Sequence, residues 1–389
     1  MKVLMLGWEY PPHIAGGLGT ACEGLTKGLA RHDVEIVFVV PQLHGDEEAL
    51  HMKIIDQTSE PPQDAEIPAF VPRNSEAVAA LSDIIAGTEP TRISIPAFLM
   101  PYWTEEEFIE YVRSAEGARK IQTGPSGELL DVGAAASGAT GRRRDHYGGN
   151  MFEQVALYTE RVTRRALAET FDLIHGHDWM TYPAAVAIKQ ATGKPLVVHV
   201  HSLEYDRSGA GVNPRIHQIE HFGVSNADAV ITVSHYTKSV VHREHGVPLN
   251  NIHVVHNGIY DLPAMRHYRA KHPDWPKHVV LFLGRVTFQK GPEYFVRAAA
   301  KVVPHVKDVL FVLAGSGDQL EGMKRLVIDL GLEDHFYFPG FVRGKAVEEM
   351  YSVADLYVMP SVSEPFGITA LEAINFETPV LLSRQSGAS

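Results

Sequence analysis

Short aliphatic runs alternate with stretches of helical period along most of the chain. A short apolar run set between helices reads as a strand buried on both faces, and strands joined through helices pair in parallel. The first series of such runs lies at 3–6, 34–40, 172–175, 195–200, 229–233 and 252–255, with helical stretches at about 151–170, 182–191, 214–224 and 236–244. Asn257-Gly258 is a turn, and residues 261–278 carry Pro263, Pro273 and Pro276 among charges and read as a linker. The alternation then restarts, with strands at 279–283, 309–313, 336–338, 355–359 and 379–382 and helices at 291–303, 319–330, 346–353 and 367–376. The fold class expected is α/β, with two Rossmann-like doubly wound domains, 1–258 and 259–389, facing across a cleft. An irregular insertion is expected around 103–150. Because a doubly wound sheet needs more helix after its last strand, the second domain is expected to be incomplete at Ser389.

A length of 389 residues suits two cores rather than one, and 45% apolar with 21% charged residues is the balance of a soluble globular protein. The net charge of −12 argues against bulk attraction to nucleic acid or an anionic membrane; Arg142-Arg143-Arg144 is a local basic exception. With Cys22 as its single cysteine the chain has no intrachain disulfide, which fits a reducing compartment, and a cytoplasmic location is expected. No stretch approaches the roughly 18 apolar residues of a membrane span, and residues 1–7 read as a strand rather than a signal peptide. Oligomeric state is not legible.

The densest motif is Ser363-Glu364-Pro365-Phe366-Gly367-Ile368-Thr369-Ala370-Leu371-Glu372, between a strand and a helix. The first-turn N–H groups of a helix make an anion site, and the two glutamates flanking it suit hydroxyl groups. That pairing fits a phosphorylated sugar or a nucleotide. Gly284-Arg285 and Lys290-Gly291 also follow a strand, so Arg285 and Lys290 can reach its carboxyl end and hold a diphosphate. Gly315-Ser316-Gly317 leaves room for a base or ribose, and Phe341-Val342 offers a wall for a base. In the first domain, Gly16-Gly17-Leu18-Gly19 opens a helix after a strand, without dinucleotide spacing. The chain contains no Asp-x-Asp, the carboxylate pattern with which metal-dependent sugar-nucleotide enzymes hold their ion, so no residue is assigned to a metal.

His175-Gly176-His177-Asp178 and His199-Val200-His201 end two strands, and their spacing sends both histidines of each pair to one strand face. A zinc hydrolase is therefore a rival reading. It leaves Arg285, Lys290 and the two glutamates unexplained. Other rivals are a sugar-nucleotide epimerase, a phosphorylase, and a non-catalytic protein that keeps only the nucleotide site.

Together these motifs resemble the retaining, metal-independent glycosyltransferases of GT-B fold, in particular the relatives of glycogen and starch synthases. Glu364 and Glu372, with seven residues between them, carry the most specific part of the resemblance. The resemblance implies transfer of a hexose, glucose by preference, from a nucleoside diphosphate sugar (ADP- or UDP-glucose) to a saccharide or glucan, with no cofactor required. It implies that Arg285 and Lys290 stabilise the departing diphosphate. Gly17 and the amides of Phe366, Gly367, Ile368 and Thr369 cradle phosphate and sugar. Glu364 lies near the donor sugar, Glu372 holds ribose hydroxyls, and His201 contacts the sugar with Asp178 beside it. The family's usual Lys-x-Gly-Gly is here Ile14-Ala15-Gly16-Gly17, which lacks the lysine.

Overall fold

The computed structural model describes residues 1–13, 17–57, 151–259 and 275–389. The expected insertion at 103–150, the Arg142–Arg144 cluster, Gly16 and most of the expected linker lie outside the described residues.

The first unit runs β1 (Lys2–Leu6), α1 (Gly17–Ala30), β2 (Glu35–Val40), β3 (Lys53–Asp56), α2 (Met151–Ala166), β4 (Leu173–His177) and α3 (Tyr182–Thr192). It continues through β5 (Leu196–Val200), α4 (Glu204–Ser208), α5 (Pro214–Asn226), β6 (Ala229–Thr232), α6 (His235–His245) and β7 (Ile252–Val254). All seven strands are parallel, in the order β3-β2-β1-β4-β5-β6-β7. Val3, Leu4, Met5 and Leu6 of central β1 are at most 2% exposed, as a strand covered on both faces requires.

The second unit runs β8 (His278–Leu283), α7 (Pro292–Val302), β9 (Val309–Ala314), α8 (Leu320–Asp329), β10 (Phe336–Gly340), α9 (Lys345–Val353), β11 (Leu356–Met359), α10 (Ile368–Asn375) and β12 (Val380–Leu382). Its parallel sheet has the order β10-β9-β8-β11-β12. Phe282, Phe295, Phe311 and Leu313 pack on one face of this sheet, and Leu281, Tyr351, Tyr357 and Ala370 on the other.

Local chemistry explains many of the boundaries. Asn213 caps α5 by accepting from the N–H groups of Arg215 and Ile216, with Pro214 in the first turn. Ser234 caps α6 through Thr237 N–H, and the helix closes at Gly246 in the left-handed region. Three features depart from the expectation. β3 and α4 are additional to it: β3 is Lys53-Ile54-Ile55-Asp56 and α4 is Glu204-Tyr205-Asp206-Arg207-Ser208, and neither carries an aliphatic run. β4 runs on to His177, because Gly176 and His177 keep the ladder to Val198 and His199.

The units touch through the turn before α10. Ser363 Oγ donates to Asp206 Oδ1 at 2.6 Å and lies 2.8 Å from Tyr236 Oη. Ser234 Oγ and Thr237 Oγ1 both donate to the carbonyl of Pro365, at 2.5 and 3.2 Å.

Candidate active site

The second sheet changes direction between β8 and β11, since β9 lies beyond one and β12 beyond the other. In such sheets ligands bind outside the carboxyl ends of the strands at this switch point. A shallow depression lies there, lined in part by Gly284, Lys290, Met359, Ser361 and Thr369.

Lys290 ends a short 3-10 turn, and its ammonium sits 2.5 Å from Glu364 Oε2. Ser361 Oγ donates to the same carboxylate oxygen at 3.2 Å. The main chain of Glu364 is tethered on both sides: its N–H donates to Gln385 and its carbonyl accepts from Gly387. Arg285 donates to Gln289 Oε1 at 3.4 Å from the loop after β8. Gly367 caps α10 with φ at 100°, and a β-carbon there would lie 2.7 Å from Met359 Cε. The left-handed φ is what favours glycine here, since the end of the Met359 side chain can shift aside. Behind the turn, Tyr357 Oη lies 2.8 Å from Thr369 Oγ1, and Tyr351 donates to Glu372 Oε2 at 2.9 Å. Burial pushes the Glu372 carboxyl above its ordinary value, against the opposing effect of that hydrogen bond.

Gly315, Gly317 and Phe341-Val342 sit at or just beyond the carboxyl ends of β9 and β10. Gly315 and Gly317 have φ of 146° and 151°. A β-carbon at the first would run into the carbonyl of Gly284, and at the second into that of Val286. Crossing backbones therefore require these glycines, whatever ligand lies above them. Phe341 is exposed, with the Arg343 guanidinium 4.8 Å over its ring, while Val342 packs against the core.

The first unit meets this site at the start of α1, where a β-carbon on Gly17 would be in contact with Ile368 Cδ1 at 3.4 Å. Phe366 packs 5.8 Å, ring to ring, from His256. Asp178 has φ of 59°, and its Oδ1 accepts from the N–H groups of His201 at 2.7 Å and Ser202 at 3.4 Å. Burial pushes its carboxyl up to about 7. Asp178 thus holds the loop that carries His201. The His201 imidazole, pushed down to about 3 by burial, lies with Nε2 3.0 Å from His177 Nδ1.

Lys290, Glu364, Gly367 and Thr369 are thus brought together, with Arg285 on the adjoining loop. Ser361, Tyr357, Tyr351, Asp206 and Ser234 support this group, and sequence reasoning does not pick them out. Hydroxyls and buried carboxylates carry no spacing signal when their partners lie far along the chain.

Three family profiles match in succession: Starch synthase catalytic domain over residues 2–111, Glycosyltransferase Family 4 over 123–261, and Glycosyl transferases group 1 over 266–389. An uncharacterized glycosyltransferase of Methanocaldococcus jannaschii is 29% identical over the whole chain and 81% of its own length. The glycogen synthase of Mycobacterium tuberculosis is 26% identical over the whole chain and 79% of its own. Among solved structures, the catalytic domain of starch synthase IV from Arabidopsis thaliana, bound to ADP and acarbose, superposes with a TM-score of 0.59. Its identity is 15%, covering 99% of this chain and 83% of that one. HepE of Anabaena in complex with UDP-glucose gives 0.58 at 16%, covering 100% and 82%. No helix among the described residues is long and apolar enough to cross a membrane. The two parallel sheets have the GT-B fold, and the three successive profiles are all of glycosyltransferases, the first unit resembling the starch and glycogen synthases and the second the group 1 enzymes.

Proposed function

We propose that the chain is a retaining, metal-independent hexosyltransferase. It moves glucose from ADP- or UDP-glucose to a saccharide or glucan acceptor, in the manner of a glycogen synthase. Its two domains are taken as 1–258 and 259–389, and its place as the cytoplasm.

The observation that carries this reading is the Lys290–Glu364 pair at the switch-point depression, beside the first turn of α10 and opposite Gly17. In this reading the bond between the anomeric carbon and the leaving diphosphate oxygen breaks. The acceptor oxygen attacks on the same face, and its proton passes to the departing oxygen. Lys290, Arg285 and the α10 amides carry the charge that develops on the diphosphate, in place of a metal ion. Glu364 lies near the donor sugar, Glu372 holds ribose hydroxyls, and His201 contacts the sugar from the first unit, positioned by Asp178. The glycogen synthase among the relatives, and the ADP and acarbose bound to the starch synthase, favour a glucan acceptor.

The test is transfer from ADP- and UDP-glucose to oligosaccharide acceptors by wild type, Arg285→Ala and Lys290→Ala. Each substitution is expected to lower kcat by about 10²- to 10³-fold, the cost of removing one preorganised donor. The anomeric configuration of the product, read by NMR, is expected to match the donor. Unchanged turnover in both variants, or an inverted product, rejects the mechanism.

A further inference from the structure

The sheet of the first unit contains a group of side chains that the proposed reaction does not need in full. His175, His177, His199 and His201 project from one face of β4 and β5 and the loop after it, with His177 and His199 in register. Their rings form a ladder: centroids lie 4.3 Å apart for His175–His177, 5.5 Å for His175–His199, 5.3 Å for His177–His199 and 4.2 Å for His199–His201. His175, His177 and His199 are 6%, 0% and 3% exposed.

Buried polar atoms in folded proteins nearly always have a partner, and leaving one without costs about 1–3 kcal/mol. Here the contact between His177 Nδ1 and His201 Nε2 accounts for one pair. His175 Nε2, His177 Nε2 and both nitrogens of His199 have no hydrogen-bond partner among the described residues. One nitrogen from each of these three rings lies within 4.8 Å of the others. Ligand nitrogens around a tetrahedral zinc ion are roughly 3.3 Å apart, given bonds of about 2.0–2.1 Å. Binding therefore requires the three rings to turn toward one another.

We propose that His175, His177 and His199 form a tris-imidazole site for a single Zn2+ ion, which ties β4 to β5 beneath the cleft and is separate from the donor site. Three nitrogen donors with no carboxylate among them suit zinc better than magnesium or calcium. With the three rings at most 6% exposed, bulk substrate does not reach the metal and its fourth tetrahedral position takes a single water, so the zinc hydrolase that the histidine spacing raises is not what these residues build. Their role is structural.

Two other groupings make the proposal specific. Cys22 lies within ligand distance of His177 and His201, and His217, Glu220 and His245 form a separate set on α5 and α6. The experiment uses tag-free full-length protein, stripped with chelator, loaded with Zn2+ or Co2+, desalted and measured by elemental analysis. One equivalent of metal is expected in wild type, Cys22→Ser and His217→Ala, and none in His199→Leu. Zn2+ is expected to raise the Tm of wild type and leave that of His199→Leu unchanged. If His199→Leu does not fold, the Co2+ spectrum of wild type decides. Visible d–d bands without a thiolate charge-transfer band are expected. Wild type that retains no metal, metal retained by His199→Leu, metal lost in Cys22→Ser or His217→Ala, or a thiolate band each overturns the assignment. None of these outcomes depends on glycosyl transfer.

Discussion

Gly367 shows how much one residue carries. Its φ of 100° disfavours any β-carbon, and one placed there would also displace the flexible end of Met359. Gly367→Ala is expected to destabilise the protein by about 1–3 kcal/mol, read as a shift of the urea midpoint. Lys290 and Glu364 present a different case. Glu364 is 7% and Lys290 20% exposed at the side chain, so the pair is partly shielded from solvent and an incoming anion must compete with Glu364 for the ammonium. Glu364→Gln releases Lys290. In the proposed reaction this variant is expected to bind ADP or UDP several-fold more tightly by calorimetry while turning over more slowly. Weaker binding would show that Glu364 orders the site rather than occupying its cation.

Between elements, fit decides more than propensity. Gly223 of α5 lies against Tyr182 of α3, so closely that a β-carbon would fall 2.2 Å from a ring atom. Gly223→Ala must push these helices apart in a core packed at crystal density, at a cost of about 1–3 kcal/mol, measurable by thermal unfolding. Glu220, on the same helix, accepts the N–H of Glu204 at 2.6 Å and so joins α5 to α4. Burial pushes its carboxyl up to about 8 from an ordinary 4.5. The folded state therefore holds a proton that the unfolded chain gives up above pH 4.5. The stability this contributes is complete below pH 4.5 and is lost as pH rises toward 8. Glu220→Gln keeps the acceptor and removes the titration. Its Tm relative to wild type is expected to climb between about pH 5 and 8 and level off above.

At the scale of the molecule, polar contacts around the turn before α10 couple the two units. Ser363 satisfies the buried Asp206 across the cleft, and Pro365 lends its carbonyl to two hydroxyls at the start of α6. Ser363→Ala leaves Asp206 without its cross-cleft donor. It is expected to loosen the units, raising the radius of gyration in solution scattering, with KM for the donor rising more than kcat falls. An unchanged radius and KM would mean that the apolar packing around Phe366 suffices to hold the units closed.

The alternation of aliphatic runs with helices is enough to require two doubly wound sheets, because a strand buried on both faces must be apolar throughout and helices must cover it. Capping residues such as Asn213 and Ser234 mark helix starts for the same local reason: their side chains bond to amides a few residues on. The Glu364–Glu372 and Arg285–Lys290 motifs are legible because each lies within one strand-turn-helix segment. β3 and α4 are not, since Lys53-Ile54-Ile55-Asp56 and Glu204-Tyr205-Asp206-Arg207-Ser208 are mostly polar and form no aliphatic run. Spacing reveals that His175 and His177 share a face, and so do His199 and His201. That the two pairs stack into one buried ladder depends on the register of β4 against β5. Likewise, only folding brings Lys290 to Glu364, 74 residues away, and Asp206 to Ser363, 157 away. Such contacts arise from chain crossings, which local residue chemistry does not encode.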